Sequence, residues 1–127
     1  MAEPKFYRCA ACGQLLTTLQ SAACVPHCCG KEMEVLTANT TDALQEKHVP
    51  AVTAEGRRVT VKVGSAPHPM TEAHYIQWIY LATKNGGQFR SLTPSDAPEA
   101  VFELAEGDAP LAAYEYCNLH GLWKAEI

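Results

Sequence analysis

From residue 59 onward, apolar and polar side chains alternate in short runs rather than at helical spacing. Val59, Val61 and Val63 stand around Thr60 and Lys62, a β-branched period of two that predicts a strand over 59–63. A second strand is predicted over 75–81, with His74 opening it, and Lys84-Asn85-Gly86-Gly87 gives a hairpin signal after it. The chain should return as a strand over 88–92, then cross a proline-bounded loop over 93–98. Further strands are predicted over 101–104, 112–116 and 122–127. No stretch carries a convincing amphipathic helix, so these runs predict an all-β, antiparallel sandwich.

The first third of the chain has a different texture. A short strand over 5–8 leads into Cys9-Ala10-Ala11-Cys12-Gly13, and another over 33–36 follows Cys24, Cys28, Cys29 and Gly30. The polar run 37–42 then reads as a linker. Two domains are therefore expected, 1–36 and 37–127. Five of the six cysteines fall in the first 29 residues, and without a secretory leader such crowding favours metal over disulfides. A Cys-x-x-Cys-Gly turn puts two thiolates on one side of a tight loop, and glycine permits the left-handed conformation it needs. Cys9, Cys12, Cys28 and Cys29 make a tetrathiolate set. Cys28 and Cys29 would point to opposite faces of a strand, so they belong in a turn. Cys24 and His27 remain alternatives to one member of that pair. Zinc and iron fit the spacing equally. About 36 residues bury too little surface to fold without such a staple.

Composition narrows the function classes. A chain of 127 residues with 47% hydrophobic and 19% charged residues is globular. Its net charge of -4, with no basic cluster beyond Arg57-Arg58, argues against nucleic acid as a partner. No apolar run approaches a membrane span, and Met1-Ala2-Glu3-Pro4-Lys5 has no signal core, so a cytoplasmic location is expected. An acidic chain that uses an anionic substrate needs local positive charge at its site.

The remaining chemistry lies in histidines gathered around one late cysteine. In Cys117-Asn118-Leu119-His120-Gly121 a thiolate and an imidazole stand three residues apart, half of a metal site. His48, His68 and His74 are the upstream candidates. His68 lies between Pro67 and Pro69, which bar it from a helix interior and stiffen its backbone. His48 follows Glu46 and Lys47 directly, where a solvated loop is the plainer reading of that trio taken alone. Imidazoles with one soft thiolate suit a transition metal in redox chemistry.

Together these motifs resemble the desulfoferrodoxin family of two-iron superoxide reductases. The residues that carry the resemblance are Glu46-Lys47-His48-Val49-Pro50, Pro67-His68-Pro69-Met70, His74 and Tyr116-Cys117-Asn118-Leu119-His120-Gly121, with Cys9, Cys12 and the Cys28-Cys29 pair. It covers essentially the whole chain. It implies a desulforedoxin-like N-terminal domain with iron on Cys9, Cys12, Cys28 and Cys29. It implies a seven-stranded immunoglobulin-like sandwich with a second iron on His48, His68, His74 and His120 roughly in a plane and Cys117 axial. The reaction implied is one-electron reduction of superoxide to hydrogen peroxide. A homodimer and a donor such as rubredoxin are implied with it. Five ligands leave one position open, the mark of a catalytic site. Lys47 is expected to attract the anion and orient a proton source, and Glu46 to approach the open position after oxidation. An N-terminal iron with no open position is expected to store or pass electrons only. A zinc-stabilised binding module is the rival reading outside the enzymes.

Overall fold

The computed structural model describes residues 3–41, 43, 45–66 and 68–127, and for Glu46 the backbone alone. Its contacts divide the chain into two compact units, Met1–Thr37 and Ala38–Ile127.

In the first unit, β1 (Phe6–Arg8) lies between β2 (Leu15–Thr17) and β5 (Glu34–Val35), all antiparallel. A separate two-stranded ribbon joins β3 (His27–Cys28) to β4 (Lys31–Glu32). The strands predicted over 5–8 and 33–36 are β1 and β5; β2, β3 and β4, of two or three residues each, are too short to leave a period-two signature. The buried core here is small: Tyr7, Cys9 and Met33, with Val25 and Cys28 packed against it. A core of this size cannot offset the chain entropy of its own unit.

The second unit starts with one helical turn, α1 (Gln45–His48), where a plain loop is the simplest sequence reading of the acid–base–imidazole trio. Then follow β6 (Pro50–Glu55), β7 (Arg58–Val63), β8 (Ile76–Thr83), β9 (Gly86–Ser91), β10 (Glu99–Glu103), β11 (Pro110–Cys117) and β12 (Gly121–Glu126). They form a sheet of order β10-β7-β6 and a second of order β12-β11-β8-β9. Seven antiparallel strands in two sheets make the expected sandwich. β6 is the strand that sequence reading leaves out, because it is an edge strand with Ala51, Thr53, Ala54 and Glu55 exposed. Val59, Val61 and Val63 are buried as their alternation predicts, and they pack with Ile79, Leu81, Phe102 and Ala113.

Two local features position the site. The β8–β11 pairing runs from Tyr116↔Trp78 to Cys117↔Ile76, so β8 carries one extra residue, Gln77, at that step. A bulge of this kind reverses side-chain alternation, and it turns Ile76 to the core beside Cys117. His74 consequently does not open the strand. It sits in a tight turn before it, closed by mutual backbone hydrogen bonds between Thr71 and His74 at 2.9 and 3.1 Å. At the other end of the site, Gly121 has φ +78°, a value that lets the chain reverse directly after His120 into β12.

Glu115 lies on the core face between Ala113 and Cys117. It is fully buried, and neither carboxylate oxygen has a hydrogen-bond partner. Burial holds its carboxyl well above the usual carboxylate range. Above pH 4.5 the unfolded chain releases this proton while the folded chain retains it, so the group destabilises the fold increasingly as pH rises. Glu115→Leu should therefore stabilise the protein at pH 7.5 by about 1–3 kcal/mol. The gain should shrink towards pH 4.5, where only the cost of burying the unpartnered neutral carboxyl remains. Urea titrations of both proteins at the two pH values check this, and an equal gain at both would refute it.

Candidate metal centre

Five ligand atoms, from His48, His68, His74, Cys117 and His120, lie within 4.8 Å of one another. They come from α1, the loop after β7, the turn before β8, and the two ends of the β11–β12 turn. The four imidazoles close a cycle through their ring contacts. His48 meets His68 at 4.7 Å, His68 meets His74 at 4.6 Å, His74 meets His120 at 5.0 Å, and His120 meets His48 at 4.8 Å. Successive rings stand at 75° to 88° to each other. The cycle therefore describes a square with His48 opposite His74 and His68 opposite His120. Cys117 Sγ lies 3.4 Å from His68 Nε2 and 3.8 Å from His120 Nδ1. Those are opposite corners, which puts the sulfur over the square and not at its edge.

The distances fit a transition metal. An ion about 2.1 Å from each nitrogen sets neighbouring nitrogens of a square roughly 3 Å apart. His48 Nε2 is 3.1 Å from His120 Nδ1 and 3.2 Å from His68 Nε2. His68 Nδ1 donates its proton to the Pro69 carbonyl at 2.7 Å, which leaves the Nε2 lone pair directed at the site. Trp123 stacks on His48 at 5.0 Å, and its Nε1–H donates to the His120 carbonyl at 3.0 Å, so one indole braces two ligands. His74 Nε2 is buried and finds no hydrogen-bond partner. An orphaned buried nitrogen is costly unless an ion takes its lone pair.

Electrostatics point the same way. Burial pushes the His68 imidazolium down to about 4, the neighbouring histidines adding to it against the Pro69 hydrogen bond. Burial, His120 and the Lys47 charge lower His74. Both rings are neutral and able to bind metal at pH 7. Burial raises the Cys117 thiol, partly countered by the backbone N–H groups of Leu119 and His120. A cation is what would bring that thiol to the thiolate form. A pocket of about 270 Å³ opens on the square, lined by Ala43, Lys47, His48, Pro69, His74 and His120. Cys117 is fully buried and absent from its lining, so the pocket faces the side away from the sulfur.

The second cluster is Cys9, Cys12, Cys28 and Cys29. Cys12 Sγ lies 3.6 Å from Cys28 Sγ, which lies 4.0 Å from Cys29 Sγ. Four sulfurs at about 2.3 Å from a tetrahedral ion stand roughly 3.8 Å apart. The adjacent pair is accommodated by a turn, as expected, with Cys29 at φ +53°. The backbone N–H of Cys12 pulls the Cys9 thiol down to about 6, while hydrogen bonding to Cys12 and Cys9 pushes Cys28 up to about 12. Charge cannot accumulate on these sulfurs without a cation among them. Cys24 and His27, the alternatives left open by spacing, are exposed and outside the cluster. The Glu46 side chain lies outside the described residues. Sequence reading gives no weight to Trp123, Asn118 or Glu115, whose roles come from partners 40 or more positions away or from burial.

The desulfoferrodoxin family model matches residues 40–126. The chain is 47% identical over 127 residues to a desulfoferrodoxin of Syntrophotalea carbinolica, covering 99% of each protein. To a desulfoferrodoxin of Desulfarculus baarsii it is 45% identical over 120 residues, 94% of each. The solved superoxide reductase of Treponema pallidum superposes with a TM-score of 0.84 at 39% identity, over 98% of this chain and all of that one. With both clusters of ligands in place and relatives that span its length, this chain belongs to the desulfoferrodoxin family.

Proposed function

We propose that the protein is a superoxide reductase. The observation that carries this is the square of four imidazoles over a buried thiol, with an open pocket that Lys47 lines on the opposite side. The solved structure from T. pallidum that it resembles is a superoxide reductase. His48, His68, His74, His120 and Cys117 would hold a catalytic iron, with Glu46 as a sixth ligand in the oxidised state. Cys9, Cys12, Cys28 and Cys29 would hold a second. When bound, the first iron supplies the single electron that superoxide requires, its thiolate raising electron density at the metal.

The rest of the reaction belongs to the chain's own groups. Superoxide, one electron and two protons give hydrogen peroxide. Lys47 brings an ammonium to the pocket of a chain whose net charge is -4, and so draws the anion in against the overall repulsion. Its N–H groups orient water at the pocket as the immediate proton source. Three of the four histidines, His48, His74 and His120, line the pocket floor. Among the described residues, no helix is long and apolar enough to cross a membrane. We place the protein in the cytoplasm, as a homodimer that takes electrons from a small redox protein of the rubredoxin type. Iron held by Cys9, Cys12, Cys28 and Cys29 would serve in electron storage or transfer.

The test is product stoichiometry with a supplied electron donor. One peroxide per superoxide and no dioxygen is expected; dioxygen released at half the superoxide consumed would mean a dismutase. In the same assay Lys47→Ala should slow the second-order reaction about tenfold and flatten its salt dependence. A rate and salt slope equal to those of the parent would remove Lys47 from the mechanism.

A further inference from the structure

Among the four imidazoles, His74 is the one whose ligand nitrogen has no hydrogen-bond partner, and it sits in a turn instead of a strand or helix. Asn118 reaches across to that turn from the segment that carries Cys117 and His120. Its side-chain Oδ1 accepts from the Tyr75 N–H at 2.9 Å. Its Nδ2 donates to the Ala73 carbonyl at 3.0 Å. Its backbone N–H donates to the Tyr75 carbonyl at 3.2 Å. These three bonds grip the residues immediately before and after His74. They stand where the β8–β11 ladder has broken step, beyond Cys117↔Ile76, so no regular pairing would otherwise tie His74 to the turn holding two further ligands.

We propose that Asn118 is a positioning residue that sets His74 at its corner of the square, and that it does so by clasping the peptide groups on both sides of it. The proposal rests on the metal-site reading above. The chemistry of the clasp selects the side chain. A planar amide presents one acceptor and one donor at a fixed separation, matched to an N–H and a carbonyl two residues apart. Aspartate keeps the acceptor but turns an anion on the Ala73 carbonyl. Serine reaches with a single oxygen. Alanine leaves both peptide groups of the turn without their partner. Released, the turn holds His74 through Thr71, whose backbone and Oγ1 bond to it, and through the one Asn118 backbone bond to the Tyr75 carbonyl that survives the substitution. The fourth nitrogen then reaches the metal in only part of the population.

The test uses the full chain stripped of metal and titrated with Co(II), whose ligand-field bands report coordination number and whose thiolate band reports Cys117. Cys117→Ser, which retains the four-thiolate cluster, supplies the blank for that second site. Asn118→Ala should lower Co(II) affinity at the histidine site about tenfold and shift the ligand-field bands towards those of His74→Ala. The double variant should add little to His74→Ala, since both changes act on one ligand. Asn118→Asp should fall between alanine and the parent, and it carries the same reading should the alanine variant fold poorly. Parent-like bands and affinity in both Asn118 variants would overturn the proposal, as would an effect that adds in full to that of His74→Ala. A parent protein without a thiolate–Co(II) band beyond the Cys117→Ser blank would overturn the metal-site reading, and this proposal with it.

Discussion

Cys117→Ser should abolish the thiolate-to-iron absorption band and lower superoxide reduction by several orders of magnitude. The sulfur lies over the square of imidazoles at 3.4 Å from His68 Nε2 and 3.8 Å from His120 Nδ1, fully buried. Serine keeps the shape of the side chain, but its hydroxyl ionises far less readily than a thiol, and the same burial that raises the cysteine opposes alkoxide formation still more. The iron would keep four neutral ligands and lose the anionic donor that raises electron density at the metal. Serine is also the smaller side chain, so the fold should survive with a cost of about 1 kcal/mol. The measurements are the visible spectrum of the oxidised protein and the rate of superoxide loss after a pulse. A variant that retained both band and rate would show that Cys117 is not a ligand.

Removing metal from the four-cysteine cluster should unfold the first unit and leave the second folded. The first unit has a small core cluster of Tyr7, Cys9 and Met33, with Phe6 also buried, and structural metal sites of this type contribute about 10–16 kcal/mol in apparent binding free energy at neutral pH. Without the ion, only weak sulfur–sulfur contacts at 3.6 and 4.0 Å join Cys28 to Cys12 and Cys29. Cys12 and Cys29 are exposed, so a chelator can reach the metal. The sandwich, by contrast, buries Val59, Val61, Ile79, Leu81, Phe102 and Ala113 in one core and needs no staple. Amide hydrogen exchange on the whole chain before and after chelation checks this. β1 and β2 should lose protection while β7, β8 and β11 retain most of theirs. Protection that persists in β1 would show that the first unit folds on its own contacts.

How much of this was legible in the chain depends on how far apart the interacting groups lie in sequence. Cys9 with Cys12 and Cys117 with His120 are close along the chain, so their spacing points to metal, whereas spacing leaves Cys24 and His27 as alternatives within the Cys28-Cys29 pair. The valine alternation in β7 announces a buried face because side-chain direction in a strand depends only on neighbouring residues. Family resemblance extended this to the complete ligand sets, and the described clusters contain the same nine residues. β6 escaped because an edge strand with one partner needs no apolar period. The helical turn at Gln45–His48 escaped because four residues carry no periodicity.

Local pattern carries an inventory: two groups of candidate ligands, a sandwich rich in short strands, and a lysine beside the first histidine. Their arrangement depends on contacts between distant segments. The cyclic order of the imidazoles, with His48 opposite His74 and the sulfur over the square, follows from where α1 and the loop after β7 meet the ends of β8, β11 and β12. The burial of Glu115, the brace from Trp123 and the Asn118 clasp follow from the pairing of those three strands. Backbone sterics act over a few residues and leave their mark in local patterns. The closing of loops across 20 to 70 residues is set by which sheet faces bury together, and no short window of sequence records it.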